Sequence, residues 1–241
     1  FIDDNLKKCY TEYMSRRFIE KFIFIAFAAA GLITTIAITV SDFVFGYDTT
    51  FIKYGGIIAC ALYSLYTAVK GKVKLPFVTF ALCFTLLADY FLLVKNDGYI
   101  YGVSAFIVAQ SFYLARIYFE KGKLPFVSVA VRVAAFSVLC IAMFIARLIE
   151  PLTAAVAFYA CMIVGNAVES FSLCKLGVRY IVFAVGLCLF IGCDVCVGIY
   201  NLSSFIDVGL TARAAETFVF LSWTFYLPSQ VMIALSTDGI F

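Results

Sequence analysis

Eight apolar stretches divide the chain, and each is long enough to cross a bilayer as a helix. A transmembrane helix needs about 20 mostly apolar residues, because it rises ~1.5 Å per residue through a hydrocarbon layer about 30 Å thick. The spans are expected at 18–40, 51–69, 77–94, 100–119, 125–146, 151–173, 180–200 and 217–236. Charged residues make up only 14% of the 241 positions, against about 25% in soluble domains. The sequence therefore predicts an all-α fold, a polytopic bundle of eight transmembrane helices.

The basic residues of the links predict how the bundle is oriented. Most Lys and Arg lie in residues 1–17 and in the links 70–74, 121–123 and 175–179. The alternate links contain only Lys95, Arg147 and Arg213. Because basic residues are retained on the cytoplasmic side, both termini are expected in the cytoplasm. Residues 1–17 form a polar lead-in without the features of a cleavable signal peptide, and 18–241 form a single transmembrane domain.

Composition also excludes several classes of function. The net charge of +3 is small and lies in the links, so no nucleic-acid partner is expected. The chain has no His, which excludes His metal sites, a His general base and a Ser-His triad. The nine Cys are interpreted as small apolar helix residues, since the closest pair, Cys193 and Cys196, lacks four-ligand spacing. No metal, cofactor or protein partner is implied.

Two aspartates are the exceptional residues of the sequence. Asp89 is the only charge in the span 77–94, and Asp194 is the only charge in 180–200. A charge inside hydrocarbon costs about 2.5–3.5 kcal/mol even on insertion scales, so such residues are functional candidates. Each lies about 20 Å from its predicted cytoplasmic end, which puts both carboxyls at one depth. The alternative is structural: each Asp could hydrogen-bond a neighbouring helix and only stabilise the bundle.

Polar side chains on other spans predict a shared polar interior. Gln110 and Tyr113 are three residues apart, and Asn166 lies on one stripe with Tyr159 and Glu169. Tyr226, Gln230 and Asn201 also belong to this set, and Asn201 lies seven residues after Asp194. Singly, Gln and Asn are common packing devices between membrane helices. Together they favour a pocket. Arg132, inside the fifth span, could either reach the surface or pair with an acid.

A pair of carboxyls can hydrolyse a vinyl ether without a metal or a nucleophilic serine. A desolvated carboxyl can stay protonated near neutrality and donate a proton, while a better solvated one stabilises a cation or activates water. Protonation of the vinyl-ether carbon gives an oxocarbenium ion, water adds, and the hemiacetal collapses to an aldehyde and an alcohol.

Several segments resemble the YhhN-like family of membrane lysoplasmalogenases. They are residues 85–92 with Asp89, the set Gly102, Phe106, Gln110 and Tyr113, residues 190–194 with Asn201, residues 224–230, and Lys74 with Pro76. The chain departs from the family where Ala88 replaces Gly, Cys193 replaces Ser and Gln110 stands where His is frequent. The resemblance extends over about Lys74 to Leu235.

The resemblance implies hydrolysis of the vinyl-ether bond of lysoplasmalogens to a fatty aldehyde and a glycerophospho-alcohol. Asp89 and Asp194 would then be the acid/base pair. The residues expected to hold the headgroup or water are Gln110, Tyr113, Asn166, Asn201, Tyr226 and Gln230, with Lys74 a further candidate for phosphate. The expected partners are a lipid substrate and the bilayer, and the expected location is the bacterial inner membrane.

Two other classes of function remain open from the sequence. A proton-coupled transporter or carrier of a small molecule could use the same aspartates to bind a proton or a cation. Gly192 and Gly198 flank Asp194, as residues of a discontinuous helix would, although no inverted repeat is visible. A scaffold without turnover is the third possibility.

Overall fold

The computed structural model describes residues 4–71, 75–122, 126–202 and 211–238. Within these ranges it describes the side chains from residue 14 onward, apart from those of residues 16, 202 and 212. Every regular element in these ranges is helical. The helices are α1 (Asp4–Phe45), α2 (Thr50–Val69), α3 (Phe77–Asp89), α4 (Tyr99–Lys121), α5 (Phe126–Ile145), α6 (Pro151–Ser170), α7 (Val178–Leu202) and α8 (Ala212–Leu235). A π-helical turn, Tyr90–Val94, prolongs α3, and a 3₁₀ segment, Phe171–Leu176, prolongs α6. Eight of these segments are long and apolar enough to cross a membrane, which confirms the predicted fold class.

The first helix is longer than its predicted span of 18–40. It runs without interruption for 42 residues, roughly 63 Å, about twice the hydrocarbon thickness. Its apolar part is Arg17–Phe45, so the polar lead-in continues the same helix. The reason is local: residues 4–17 contain no Gly or Pro that would end a helix.

The turn signals of the sequence coincide with helix boundaries. Gly98 has a φ of +73°, which favours glycine, and its N–H donates to Asp97 Oδ1 at 2.7 Å in the turn before α4. Pro151 is the first residue of α6, where its missing N–H is harmless. Pro76 immediately precedes α3. Pro125 lies outside the described residues.

The helices pack unequally. The largest interfaces are those of α7 with α8 and of α3 with α4, and α8 also packs on α1 and α2. Within the described ranges, α3 and α7 do not pack directly on each other, although the two aspartates lie on them. At one end of the bundle, α2, α4 and α8 finish and α3 and α7 start. We call this end the basic end. Which side of the membrane it faces stays a prediction.

A buried ionic network attaches α5, which otherwise packs only on α6 in the described chain. Arg132 is the one buried residue of α5. Its Nη1 donates to Glu169 Oε1 and Ser128 Oγ, both at 2.6 Å, and its Nη2 donates to Asn166 Oδ1 at 3.0 Å. Gly165 makes room for it, because a Cβ there would lie 2.8 Å from Arg132 Nη2. Arg132 therefore pairs with an acid instead of reaching the membrane surface.

We expect Arg132→Met to lower the free energy of unfolding by about 3 kcal/mol, because it leaves the half-buried Glu169 with only Lys121, 3.6 Å away. The double variant Arg132→Met with Glu169→Met should recover most of this loss, since an apolar pair replaces the ionic one. The thermal midpoint in detergent, read from the fluorescence of the single Trp223, measures both. Arg213→Met, at an exposed position, is the control. Equal midpoints for the single variant and the wild type would contradict the role of this network.

Candidate functional site

Asp89 lies at a change of helix type and is almost completely buried, with 5% of its surface exposed. The α-helical hydrogen bonding of α3 ends here, and Lys95 N donates to Tyr90 O, five residues back, at 2.8 Å. Such π turns occur frequently at functional sites. The Tyr226 hydroxyl, from α8, contacts both carboxyl oxygens, at 2.9 Å to Oδ1 and 2.7 Å to Oδ2. Asp89 thus has a hydroxyl partner and no cation in ion-pair distance among the described side chains.

Asp194, on α7, is arranged similarly but is only half-buried. The Tyr159 hydroxyl, from α6, donates to its Oδ2 at 2.7 Å. Its Oδ1 has no hydrogen bond to any described side chain, and no basic group lies within ion-pair distance in the described ranges. One carboxyl oxygen therefore stays available at the surface of the bundle.

Aromatic side chains connect the two Asp–Tyr pairs. The Tyr226 ring contacts Phe190 with centroids 5.4 Å apart, Phe190 contacts Phe106 at 5.7 Å, and Phe106 contacts Tyr159 at 5.6 Å. The Cys193 thiol is close enough to both carboxyls to interact with each electrostatically. The acids thus share one region of the bundle. Rings from α4, α7 and α8 lie between them, and α3 does not pack directly on α7 in the described ranges.

Four fully buried polar atoms near this region have no hydrogen-bond partner. They are Thr85 Oγ1, Gln110 Nε2, Tyr113 OH and Gln230 Oε1. The Thr85 and Tyr113 hydroxyls are neighbours, yet they do not meet hydrogen-bond geometry. Tyr113 also lies within electrostatic range of Asp89. An unpartnered buried polar group costs about 1–3 kcal/mol, so such atoms indicate a place where water or a ligand completes the bonding.

The other predicted site residues lie elsewhere or are engaged. Asn166 Nδ2 donates to the backbone and side-chain oxygens of Gln110, at 2.8 and 2.9 Å, and its own oxygen accepts from Arg132. Asn201 is exposed, in the last turn of α7. Lys74 lies outside the described residues. The substrate-binding roles of these three remain predictions.

Sequence reasoning did not assign a site role to Tyr159, Thr85 or Phe190. Tyr159 had a detectable signal, since it lies on one helical stripe with Asn166, but its partner on another helix could not be deduced. Thr85 and Phe190 were part of apolar runs, where nothing distinguishes a site residue from a packing one.

Neither aspartate lines the cavity of about 230 Å³ that lies at the basic end. The described residues also contain no cluster of three Cys, Asp or Glu side chains that could hold a metal ion. The chemistry of the region therefore depends on carboxyl, phenol and amide groups.

We expect Tyr226→Phe to lower the free energy of unfolding by about 1–3 kcal/mol, because a buried carboxyl loses its hydroxyl donor. Tyr159→Phe should cost less, below about 1 kcal/mol, since the half-buried Asp194 can bond to water or lipid. The thermal midpoints of the two variants, measured in the same detergent, compare the two losses of stability. Tyr99→Phe, whose hydroxyl bonds to Asn96 in an exposed turn, should change little. A larger loss for Tyr159→Phe than for Tyr226→Phe would contradict this order.

Comparisons with known proteins agree with the resemblance seen in the motifs. The family model described as the YhhN family matches residues 48–237, which is most of the chain and includes both aspartates. No curated protein and no solved structure gave a significant match. The matched range covers α2 to α8, with the two Asp–Tyr pairs and the unpartnered polar atoms. The chain is an integral membrane protein of the YhhN family.

Proposed function

We propose that this protein hydrolyses the vinyl-ether bond of lysoplasmalogens, releasing a fatty aldehyde and a glycerophospho-alcohol. One observation carries the proposal: two carboxyls inside the membrane-spanning region, each bonded to a tyrosine hydroxyl and neither paired with a cation among the side chains that the structure describes. A carboxyl inside the membrane without a basic partner is costly, and apolar residues would stabilise the bundle at least as well, so two such carboxyls indicate a function. Glu169, by contrast, pairs with Arg132. Family membership and the motif resemblance support this reaction class.

The hydrogen bonds favour different tasks for the two acids. Both oxygens of Asp89 accept from Tyr226, which suits a carboxylate that accepts a proton or stabilises a cation. Burial alone would keep the proton on Asp89, the more deeply buried of the two acids. However, both Asp89 oxygens are occupied by the Tyr226 hydroxyl, whereas Asp194 is half-buried and has Oδ1 available to carry and deliver a proton. On these hydrogen bonds we assign proton donation to Asp194 and the carboxylate role to Asp89.

The reaction balances with these two groups and one water. Asp194 in its acid form gives its proton to the vinyl-ether carbon distal to the oxygen, and the adjacent carbon becomes an oxocarbenium ion. Water adds to that carbon and passes a proton to the Asp89 carboxylate. The hemiacetal then loses its hydroxyl proton as its carbon–oxygen bond to glycerol breaks, and the leaving alcohol takes a proton. Return of a proton from Asp89 to Asp194 completes the cycle.

The unpartnered atoms of Thr85, Gln110, Tyr113 and Gln230 would position the water or the polar part of the substrate. Together they offer donors and acceptors, which is what a water molecule needs for its usual two to four hydrogen bonds. The fatty chain would remain in the bilayer. No cofactor takes part in this scheme.

We expect Asp89→Asn and Asp194→Asn each to reduce aldehyde release by at least about 100-fold, because an amide neither donates nor accepts the required proton. The assay uses the purified full chain in nanodiscs with a choline lysoplasmalogen, and the ester-linked lysophosphatidylcholine as comparison substrate. Asp97→Asn, in the exposed turn before α4, is the matched control. Wild-type turnover by either intramembrane variant with an unchanged thermal midpoint would refute its assigned role.

Tyr113→Phe separates a role in the reaction from a role in packing. Its hydroxyl has no protein partner, so its removal should leave the thermal midpoint unchanged or raise it. Turnover should fall about tenfold, the equivalent of one hydrogen bond lost from the transition state. A lower midpoint with unchanged turnover would assign the hydroxyl to packing alone.

A proton-coupled carrier is the second candidate, and the π turn after Asp89 is the observation that favours it. Carriers use interrupted helices near the midplane to bind ions. Proteoliposomes loaded with a pH-sensitive dye distinguish the two: a carrier acidifies or alkalises the lumen without aldehyde release, and a hydrolase releases aldehyde without a proton flux.

A further inference from the structure

The cavity at the basic end is a site that the proposed reaction does not use. It has a volume of about 230 Å³ and lies between the start of α3, the last turns of α4, the start of α7 and the residues that follow α8. Its polar lining consists of Thr79, Arg116, Glu120, Arg179, Ser236 and Thr237. A cavity needs roughly 10–15 Å³ to hold one water, so this space accepts a larger polar group.

Arg116 gives the cavity a buried positive charge. Its side chain lies over the Phe183 ring, 4.3 Å from the centroid, and the residue is only 7% exposed. Nη1 donates to Ser236 Oγ at 2.6 Å and Nη2 to the Ser236 carbonyl at 2.8 Å, so its protein partners are neutral oxygens. No carboxylate of the described side chains lies within ion-pair distance of it. Glu120 attracts Arg116 only at a longer distance and lies closer to Arg179, so the buried guanidinium has no anion bonded to its five N–H donors and is incompletely compensated.

The remaining lining adds hydrogen-bond donors. The first amides of α3, at Val78 and Thr79, have no partner inside the helix and lie in the lining. The ends of α4 and α8 bring the negative ends of their dipoles to the same space, so these amides contribute N–H donors more than net potential. Arg179 is at the rim, 3.8 Å from Glu120, and both side chains are about one third exposed. Glu120 therefore offsets Arg179 in part. Counted over the lining residues, the two arginines and the one glutamate leave an excess of one positive charge.

We propose that this cavity binds a phosphate group, from a phospholipid headgroup or from free phosphate. Guanidinium donors in a planar fork match phosphate oxygens, and helix N-termini stabilise the same charge. The position at the end of the bundle, beside the membrane surface, is where headgroups lie.

This phosphate cannot belong to a lipid that is reacting at Asp89. Thr79 precedes Asp89 by ten residues of helix, about 15 Å. The phosphorus and the vinyl-ether oxygen of a lysoplasmalogen are five single bonds apart, less than about 8 Å at roughly 1.5 Å per bond. The cavity is therefore a second site, and its occupation does not depend on the proposed hydrolysis.

Binding to the purified full chain in a neutral detergent tests the proposal without any turnover. Native mass spectrometry measures retention of dioctanoyl phosphatidic acid, with dioctanoylglycerol as the phosphate-free comparison, and equilibrium dialysis measures inorganic phosphate. We expect the phosphatidic acid to bind and the glyceride not to bind. Binding of inorganic phosphate in addition identifies a site for the free anion, and its absence identifies a headgroup site.

Charge variants at the rim and in the interior localise the binding. Arg116→Gln and Arg179→Gln should each weaken phosphatidic acid binding roughly tenfold, and Glu120→Gln should strengthen it. Arg213→Gln, which removes an exposed charge at the opposite end, should have no effect. If Arg116→Gln does not fold, the two rim variants test the proposal by themselves: it requires weaker binding in Arg179→Gln and stronger binding in Glu120→Gln. Unchanged affinity in Arg179→Gln and Glu120→Gln, or equal binding of the glyceride, overturns the proposal.

Discussion

The need to give every polar group within the membrane a protein partner determines how these helices are arranged. Water cannot complete hydrogen bonds in hydrocarbon, so a polar side chain on one helix requires its counterpart on another. Tyr226 meets Asp89 across 137 residues of sequence, and Tyr159 meets Asp194. Arg132 connects α5 to α6 in the same manner. Because lipid is as apolar as the helix surfaces, such contacts and close packing, more than apolar burial, determine which helices are neighbours.

The atoms that break this rule are informative for the same reason. The hydroxyls of Thr85 and Tyr113 and the amide groups of Gln110 and Gln230 are fully buried on three different helices, yet each leaves an atom unpartnered. A bundle selected only for stability would replace them with apolar residues of similar size. Their presence beside the two carboxyls fits a pocket that a water molecule or a substrate completes.

The sequence predicted the fold far better than the contacts within it. Apolar runs and turn residues such as Gly98 and Pro151 are local signals, and the eight helices follow from them. The α1 helix begins before its predicted span because a change from apolar to polar residues marks the membrane surface and need not end a helix. The partners of Asp89 and Asp194 depend on helix order and rotation, which one sequence does not specify. Arg116 was overlooked because a basic residue near a span end usually indicates topology.

Side-chain pairs between the helices near the basic end limit the direction from which a substrate can reach the acids. Among the described residues, hydroxyl pairs cross that end between helices: Ser64 with Thr79 at 2.8 Å and Thr67 with Thr237 at 2.6 Å. Tyr63 donates to Asp238 at 2.7 Å in the same layer. Asp194 instead is half-buried, so part of its side chain is accessible from outside the packed helices. A substrate that is itself a membrane lipid can reach such a residue laterally, whereas a soluble solute would need an aqueous path. The arrangement thus favours a reacting bond that lies in the bilayer, as the vinyl ether of a lysoplasmalogen does.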